Sequence, residues 1–112
     1  MVRSGRPVKE GPPDLFAALA DPVRRVLLER LAPGELSVTE LGEGLAVSQA
    51  AVSQHLRLLR EVGLVEVRQD GRFRRYRLRT ERFAELRTWL DELERFWTQR
   101  LDALGDYLER DS

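Results

Sequence analysis

The chain of 112 residues contains no cysteine. Disulfides and thiolate metal sites are therefore excluded. Histidine is nearly absent as well: His55 stands alone, without a second imidazole to share a metal or a proton. There is no glycine-rich phosphate loop, and no nucleophile is accompanied by a base, so an enzyme is not expected and no cofactor is called for. No apolar run approaches the roughly 18 residues of a membrane span. The opening stretch, Met1 to Pro13, is polar and rich in Gly and Pro and lacks the apolar core of a signal peptide. These features predict a soluble cytoplasmic protein with a flexible arm over 1–13 and one domain over 14–112, large enough to bury a core unaided. There is no internal repeat and no low-complexity segment.

Net charge is also absent, at zero, but its distribution is uneven. Residues 1–56 sum to −1, residues 57–82 to +5 and residues 83–112 to −4. Only the middle segment would attract a polyanion. Arginine supplies every cation except Lys9, a bias that carries no binding information by itself.

Helix signals fill most of the chain. Asp14 is placed to cap a first helix over Asp14–Ala20. Asp21-Pro22 pairs an N-cap with a proline suited to the first helical position, opening a helix to Leu31. Val23, Val26, Leu27, Leu28 and Leu31 are its apolar face, leaving Arg24, Arg25, Glu29 and Arg30 for solvent. Pro33-Gly34 ends it. Ser37-Val38-Thr39-Glu40 has the form of a capping box for a short helix carrying Leu41. Ser48 caps the next helix, which Gly63 stops. The period then changes to two. Leu64 to Arg68 and Tyr76 to Arg79 alternate around Asp70-Gly71, as a β-hairpin does. Thr80 is placed to cap a last helix over about 80–110. The fold class is mainly α (α+β): a winged helix-turn-helix with a two-stranded β-hairpin wing and a long C-terminal dimerisation helix.

The helix after Ser48 separates cleanly by face. Ala51, Val52, His55, Leu56, Leu58 and Leu59 fall within an arc of roughly 160°. Gln49, Ala50, Ser53, Gln54, Arg57 and Arg60 occupy the opposite arc. That outer arc has the chemistry of base reading: Gln pairs with adenine, Arg with guanine or phosphate, and a small Ala meets a thymine methyl. Ser48 at the helix N-terminus suits a phosphate. An ordinary solvated face would carry glutamates and lysines in i,i+4 pairs, whereas no acid lies between Ser48 and Arg60. Double-stranded DNA is thus the expected partner, with Ser48, Gln49, Ala50, Ser53, Gln54 and Arg57 as contacts. His55, on the apolar arc, reads as a hydrogen-bonded packing residue.

The hairpin carries Arg68, Arg72, Arg74, Arg75, Arg77 and Arg79. Charges on an edge strand discourage sheet-to-sheet pairing, which accounts for one or two of them. Arg72 and Arg74, nearest the tip, are assigned to DNA. For Arg77 and Arg79 the two roles stay equally open. On the last helix, Phe83, Leu86, Leu90, Leu93, Trp97, Leu101, Leu104 and Leu108 recur every three or four residues. One small domain cannot cover so long a stripe, so Leu86, Leu90, Leu93, Trp97, Leu101, Leu104 and Leu108 are expected to form a homodimer interface. Asp91, Glu92, Glu94, Asp102 and Asp106 read as a solvated face. The Trp- and Phe-rich side toward the body reads as core rather than as a ligand cleft.

Several stretches resemble the ArsR/SmtB family of bacterial repressors. They are Ala18 to Arg25, Leu36 to Leu41, Val47 to Leu56 with its Ser53-Gln54-His55-Leu56, Gly63 to Val65, Asp70 to Arg72 and Tyr76 to Leu78. The resemblance covers roughly residues 14 to 80. It implies a homodimeric repressor released from its operator by a ligand, with base-reading positions at Gln49, Ala50, Ser53 and Gln54. Metal sensors of the family often carry Cys-Val-Cys where this chain has Ser37-Val38-Thr39, and others place His and Asp pairs on the last helix, which here lacks His. The chain therefore resembles a cysteine-free branch, for which neither metal site is expected and any small-molecule inducer is unidentified. The competing reading is a winged-helix module that binds DNA without sequence preference or binds protein.

Overall fold

The computed structural model describes residues 11–110. Two proline-led helices come first. Helix α1 (Pro13–Leu19) starts on Pro13 and has no side-chain cap. The expected cap, Asp14, lies inside the first turn, where it accepts from the Leu15 N–H at 3.0 Å and is held by Arg82. Of the expected arm, Pro13 opens α1 and the Pro12 carbonyl accepts from the Phe16 N–H at 3.2 Å; residues 1–10 lie outside the described residues. Helix α2 (Pro22–Leu31) has the expected bounds, and the Asp21 carboxylate accepts from the Val23 and Arg24 N–H groups at 2.8 and 3.2 Å. Those bonds, the Arg24 amide first, hold Asp21 below the usual carboxylate range.

The capping box is complete. Around helix α3 (Val38–Gly42), Ser37 Oγ accepts from the Glu40 N–H and Glu40 Oε1 accepts from the Ser37 N–H. Helix α4 (Gln49–Glu61) begins under a Ser48 cap, whose Oγ accepts from the Ala51 N–H at 3.1 Å. It ends in two backbone bonds, Gly63 N–H to the Arg60 carbonyl and Leu64 N–H to the Leu59 carbonyl. These form a Schellman motif, which needs a left-handed residue at Gly63 (φ 81°).

The hairpin pairs β2 (Val65–Asp70) with β3 (Phe73–Leu78), Val67 opposite Tyr76 and Asp70 opposite Phe73. The two turn residues are thus Gly71 and Arg72, one position later than the Asp-Gly pair itself. Positive φ at Gly71 alone matches a type II′ turn. A third strand, β1 (Leu36–Ser37), pairs with the other side of β3, Leu36 opposite Tyr76. Two residues are too few to show alternation, and their partner lies far along the chain, so this strand is invisible to pattern reading. The last helix, α5 (Phe83–Arg110), starts three residues after Thr80. Residues 80–82 instead form a turn whose carbonyls accept from the Phe83, Ala84 and Glu85 amides.

One core joins these pieces: Leu15 and Ala18 of α1, Leu27, Leu28 and Leu31 of α2, Leu41 of α3, Val52, Leu56 and Leu59 of α4, then Leu64, Val65 and Tyr76. Helix α5 touches its margin through Phe83 and Leu86, and Trp89 meets Phe16 edge-on with ring centroids 5.0 Å apart. Packing thus fills the side of α5 that faces the body. Three arginines expected in solvent bond to helix ends. Arg24 donates to the Ala18 and Ala17 carbonyls and Arg25 to the Leu19 carbonyl, all at the end of α1, and Arg30 donates to the Leu41 and Glu43 carbonyls at the end of α3. Each supplies a charged donor where a helix end is short of intrahelical ones.

Arg82 fixes the root of α5. Its guanidinium donates to Asp14 Oδ2 at 2.6 Å, to Glu85 Oε2 at 2.7 Å and to the Val62 carbonyl at 2.8 Å, where α4 ends. Side-chain bonds from Arg82 lower the Asp14 and Glu85 carboxyls from their ordinary values of 3.8 and 4.5. A carboxylate lowered by folding stabilises fully above its ordinary value and loses that contribution as pH falls through the lowered one. The melting temperature should therefore drop on acidification from about pH 6 to about pH 3. In Arg82→Ala it should start lower and fall less over the same interval, as followed by circular dichroism. Parallel acid curves for the two proteins would show that this junction contributes nothing.

Candidate nucleic-acid interface

The geometry of α4 follows from what it buries. Val52, Leu56 and Leu59 lie in the core, with Ala51, His55 and Leu58 half-buried beside them. Every residue of the opposite arc is exposed: Gln49, Ala50, Ser53, Gln54, Arg57 and Arg60. Ser48 is exposed at the N-terminal end, with its hydroxyl engaged in the cap. The DNA-contact residues expected on this helix therefore share one solvent-facing surface. Two of them have partners within the chain. Gln49 Nε2 donates to Thr39 Oγ1 at 3.4 Å, a long bond from α3. Arg57 Nε pairs with Glu61 at 3.3 Å, one turn on. Both ends of that ion pair are exposed, so it is weak and a phosphate can compete for it.

His55 is a packing residue in the sense expected. Arg24 Nη1 donates to His55 Nδ1 at 3.2 Å. Arginine has no acceptor, so this bond requires the Nδ1 lone pair and puts the ring proton on Nε2. The same guanidinium holds the α1 carbonyls, so Arg24 ties the back of α4 to the α1–α2 corner.

The wing divides its arginines into two populations. Arg68 pairs with Glu35 at 2.7 Å, Arg75 with Asp70 at 3.1 Å, Arg77 with Glu66, and Arg79 with Glu81 at 3.3 Å. The bond from Arg68 lowers the Glu35 carboxyl below its ordinary value. These four are engaged in or beside the sheet, so six like charges overstate what the wing offers. Arg72 and Arg74, the two assigned to DNA, have no carboxylate partner among the described residues. Arg72 occupies the turn, and the Arg74 guanidinium stands 5.9 Å from the Tyr76 ring centroid, close enough for a cation–π attraction. The structure does not place Arg77 and Arg79 with them. A further tip residue, Phe73, is 61% exposed. It lies on the side of β3 that carries Arg75 and Arg77, opposite the buried Tyr76, and so falls outside the apolar alternation of the strand.

On α5 the apolar stripe is largely open. Of the seven expected interface residues, Leu86 packs against its own core and Leu93 is half-buried. Leu90, Trp97, Leu101, Leu104 and Leu108 are each more than half exposed, and Tyr107 joins them. They span about 27 Å of helix. Arg100 lies over the Phe96 and Trp97 rings at 5.3 and 5.8 Å. The other side of α5, with Thr88, Asp91, Glu94, Arg95, Thr98 and Gln99, is a shallow polar surface. Among the described residues no group of three or more His, Asp or Glu side chains is arranged to hold a metal ion.

Comparison with known proteins adds independent observations. A family model described as a helix-turn-helix domain matches residues 19–68, from the end of α1 into β2. The HTH-type transcriptional regulator Rv2034 of Mycobacterium tuberculosis is 44% identical over 98 residues, which are 88% of this chain and 89% of that protein. A transcriptional repressor SmtB homolog of Synechocystis sp. is 48% identical over 59 residues, 53% of this chain and 45% of that protein. Among solved structures, an ArsR-like transcriptional regulator from Rhodococcus sp. RHA1 aligns with a TM-score of 0.74 at 33% identity, over 87% of this chain and 89% of that one.

Proposed function

The chain belongs to the ArsR/SmtB family of winged helix-turn-helix transcriptional regulators, and we propose that it acts as a homodimeric repressor on a pseudo-palindromic DNA operator. DNA binding follows from the family. The finer reading rests on one observation above all: the arc of α4 opposite its core residues is exposed throughout and is made of small residues, Gln and Arg without an acid. Gln49, Ala50, Ser53 and Gln54 read base edges in the major groove. Ser48 and Arg57 meet phosphates at the two ends of that surface, while Arg72 and Arg74 reach the backbone from the wing.

The open stripe on α5 supports the dimer. Six large side chains, each more than half exposed, exceed the single scattered apolar residues that a monomer ordinarily shows. Self-association of two α5 helices covers them and sets two α4 helices about one DNA turn, ~34–36 Å, apart. Bound over a promoter, such a dimer blocks transcription without any further domain. Metal does not serve as the inducing signal through the family's usual sites, since Ser37 and Thr39 replace thiolates and α5 carries no imidazole.

Four measurements check this reading. Fluorescence anisotropy with DNA from upstream of the gene should show two protomers binding more tightly than to scrambled DNA. Gln49→Ala or Gln54→Ala should cost about 1–3 kcal/mol and relax preference at particular bases, while Arg72→Ala or Arg74→Ala should weaken all sequences alike and flatten the salt slope by about one unit each. The reverse pattern would mean the two elements are wrongly assigned. Leu101→Asp should shift sedimentation from dimer to monomer with little change in helicity; an unchanged dimer would place the interface elsewhere. Equimolar zinc should leave the DNA complex intact, and tight stoichiometric zinc binding with release of DNA would overturn the metal-independent reading.

A further inference from the structure

Among the described residues, Phe73 is the one large apolar side chain outside α5 that is strongly exposed, at 61%. It stands at the first position of β3, next to the Gly71-Arg72 turn and opposite Asp70. Its neighbours in sequence are Arg72 and Arg74, the two wing arginines without a carboxylate partner. Asp70, the acid at the tip, is engaged by Arg75 at 3.1 Å. The tip therefore presents an apolar ring on one side of the strand and the Arg74 guanidinium, beside Tyr76, on the other, with Arg72 in the turn and the negative charge of Asp70 already satisfied. Leaving a phenylalanine in water forgoes the gain that burying its ring would bring. Phe73 is not a member of the core cluster or of the half-buried shell around it.

We infer that Phe73 is an apolar wedge that enters the minor groove beside the α4 site, with Arg72 and Arg74 on the flanking phosphates. The inference rests on the DNA-binding reading above and extends it to a residue that reading leaves out. Charge decides the occupant. A protein or lipid-tail partner for the ring would have to desolvate two guanidiniums, whereas a nucleic-acid groove supplies phosphates for both. The apolar contact is with deoxyribose and base edges at a deformable step, the place where side chains of this kind partly unstack and bend a duplex. Phe73 thereby favours sites flanked by flexible pyrimidine–purine steps, although it makes no hydrogen bond to a base.

The test uses the full chain and a duplex that the wild-type protein selects from a random-sequence library. Phe73→Ala should bind that duplex about tenfold more weakly with an unchanged salt slope, because no charge is lost. Phe73→Leu should recover most of the affinity. Replacing flanking pyrimidine–purine steps with an A-tract should weaken the wild type and leave Phe73→Ala unaffected. A melting temperature equal to wild type for Phe73→Ala confirms that the fold is intact. Unchanged affinity in Phe73→Ala overturns the wedge, and so does a reduced salt slope, which would mean the ring only positions the arginines. If the wild-type protein selects no duplex at all, the regulator reading itself fails and the wedge falls with it.

Discussion

Burial of Val52, Leu56 and Leu59 is the constraint from which the rest of the molecule follows. Each is removed almost entirely from water, at about 1.5–3 kcal/mol per side chain. Together they approach the whole net stability of an ordinary domain, about 5–15 kcal/mol. The helix cannot rotate by even one residue, about 100°, without exposing them. The outer arc of α4 is consequently presented in one orientation. Surfaces of Gln, Ala and Ser make few contacts with their own domain, so nothing else in the chain would hold them there. Caps and the Gly63 ending then set where the helix starts and stops, and Arg24 pins its inner side through His55. The exposed arc of α4 is held in place because its opposite side is a core.

Arginine serves two ends in this protein, and the position of acids separates them. Where a carboxylate or a helix-end carbonyl lies within reach, the guanidinium is absorbed into structure, as at Arg24, Arg25, Arg30, Arg68, Arg75, Arg77, Arg79 and Arg82; the exposed Arg57–Glu61 pair is the weak exception. Where none does, as at Arg72 and Arg74, the charge stays available. The distinction matters more than the +5 balance of residues 57–82, because a paired arginine presents little net field to a polyanion at ordinary salt. Most of the middle segment's charge excess is thus neutralised by acids from outside the segment, Glu35 and Asp14 among them.

Local signals carried the sequence reading far where the physics is local. Asp21-Pro22, the Ser37–Glu40 box, Ser48 and Gly63 each mark an element boundary through bonds made within a few residues, and the structure contains all four. The face separation of α4 was equally legible, since a 3.6-residue period needs no tertiary information. What escaped depends on contacts between distant segments. β1 exists because Leu36 lies opposite Tyr76; Asp14 leaves its capping role because Arg82, on the other side of the domain in sequence, takes its carboxylate. Arg24 and Arg30 look like solvent residues on a helical wheel, yet each finds carbonyls at the end of another helix. Phe73 escaped for a different reason: it stands on the arginine-bearing side of β3, out of phase with Tyr76 and Leu78, where an apolar residue adds nothing to the strand's pattern.

The same distant contacts join the two surfaces that matter. The polar arc belongs to α4 and the apolar stripe to α5, and no core residue spans both helices deeply. What connects them is short: the Schellman ending at Gly63 and the Arg82 guanidinium, which holds the last carbonyl of α4, the first turn of α1 and Glu85 of α5 at once. The left-handed backbone at Gly63 favours glycine, and a Cβ there would come within 3.2 Å of the Arg82 side chain and press it aside. A change in the angle at which α5 leaves the body must stretch those bonds or carry the end of α4 with it.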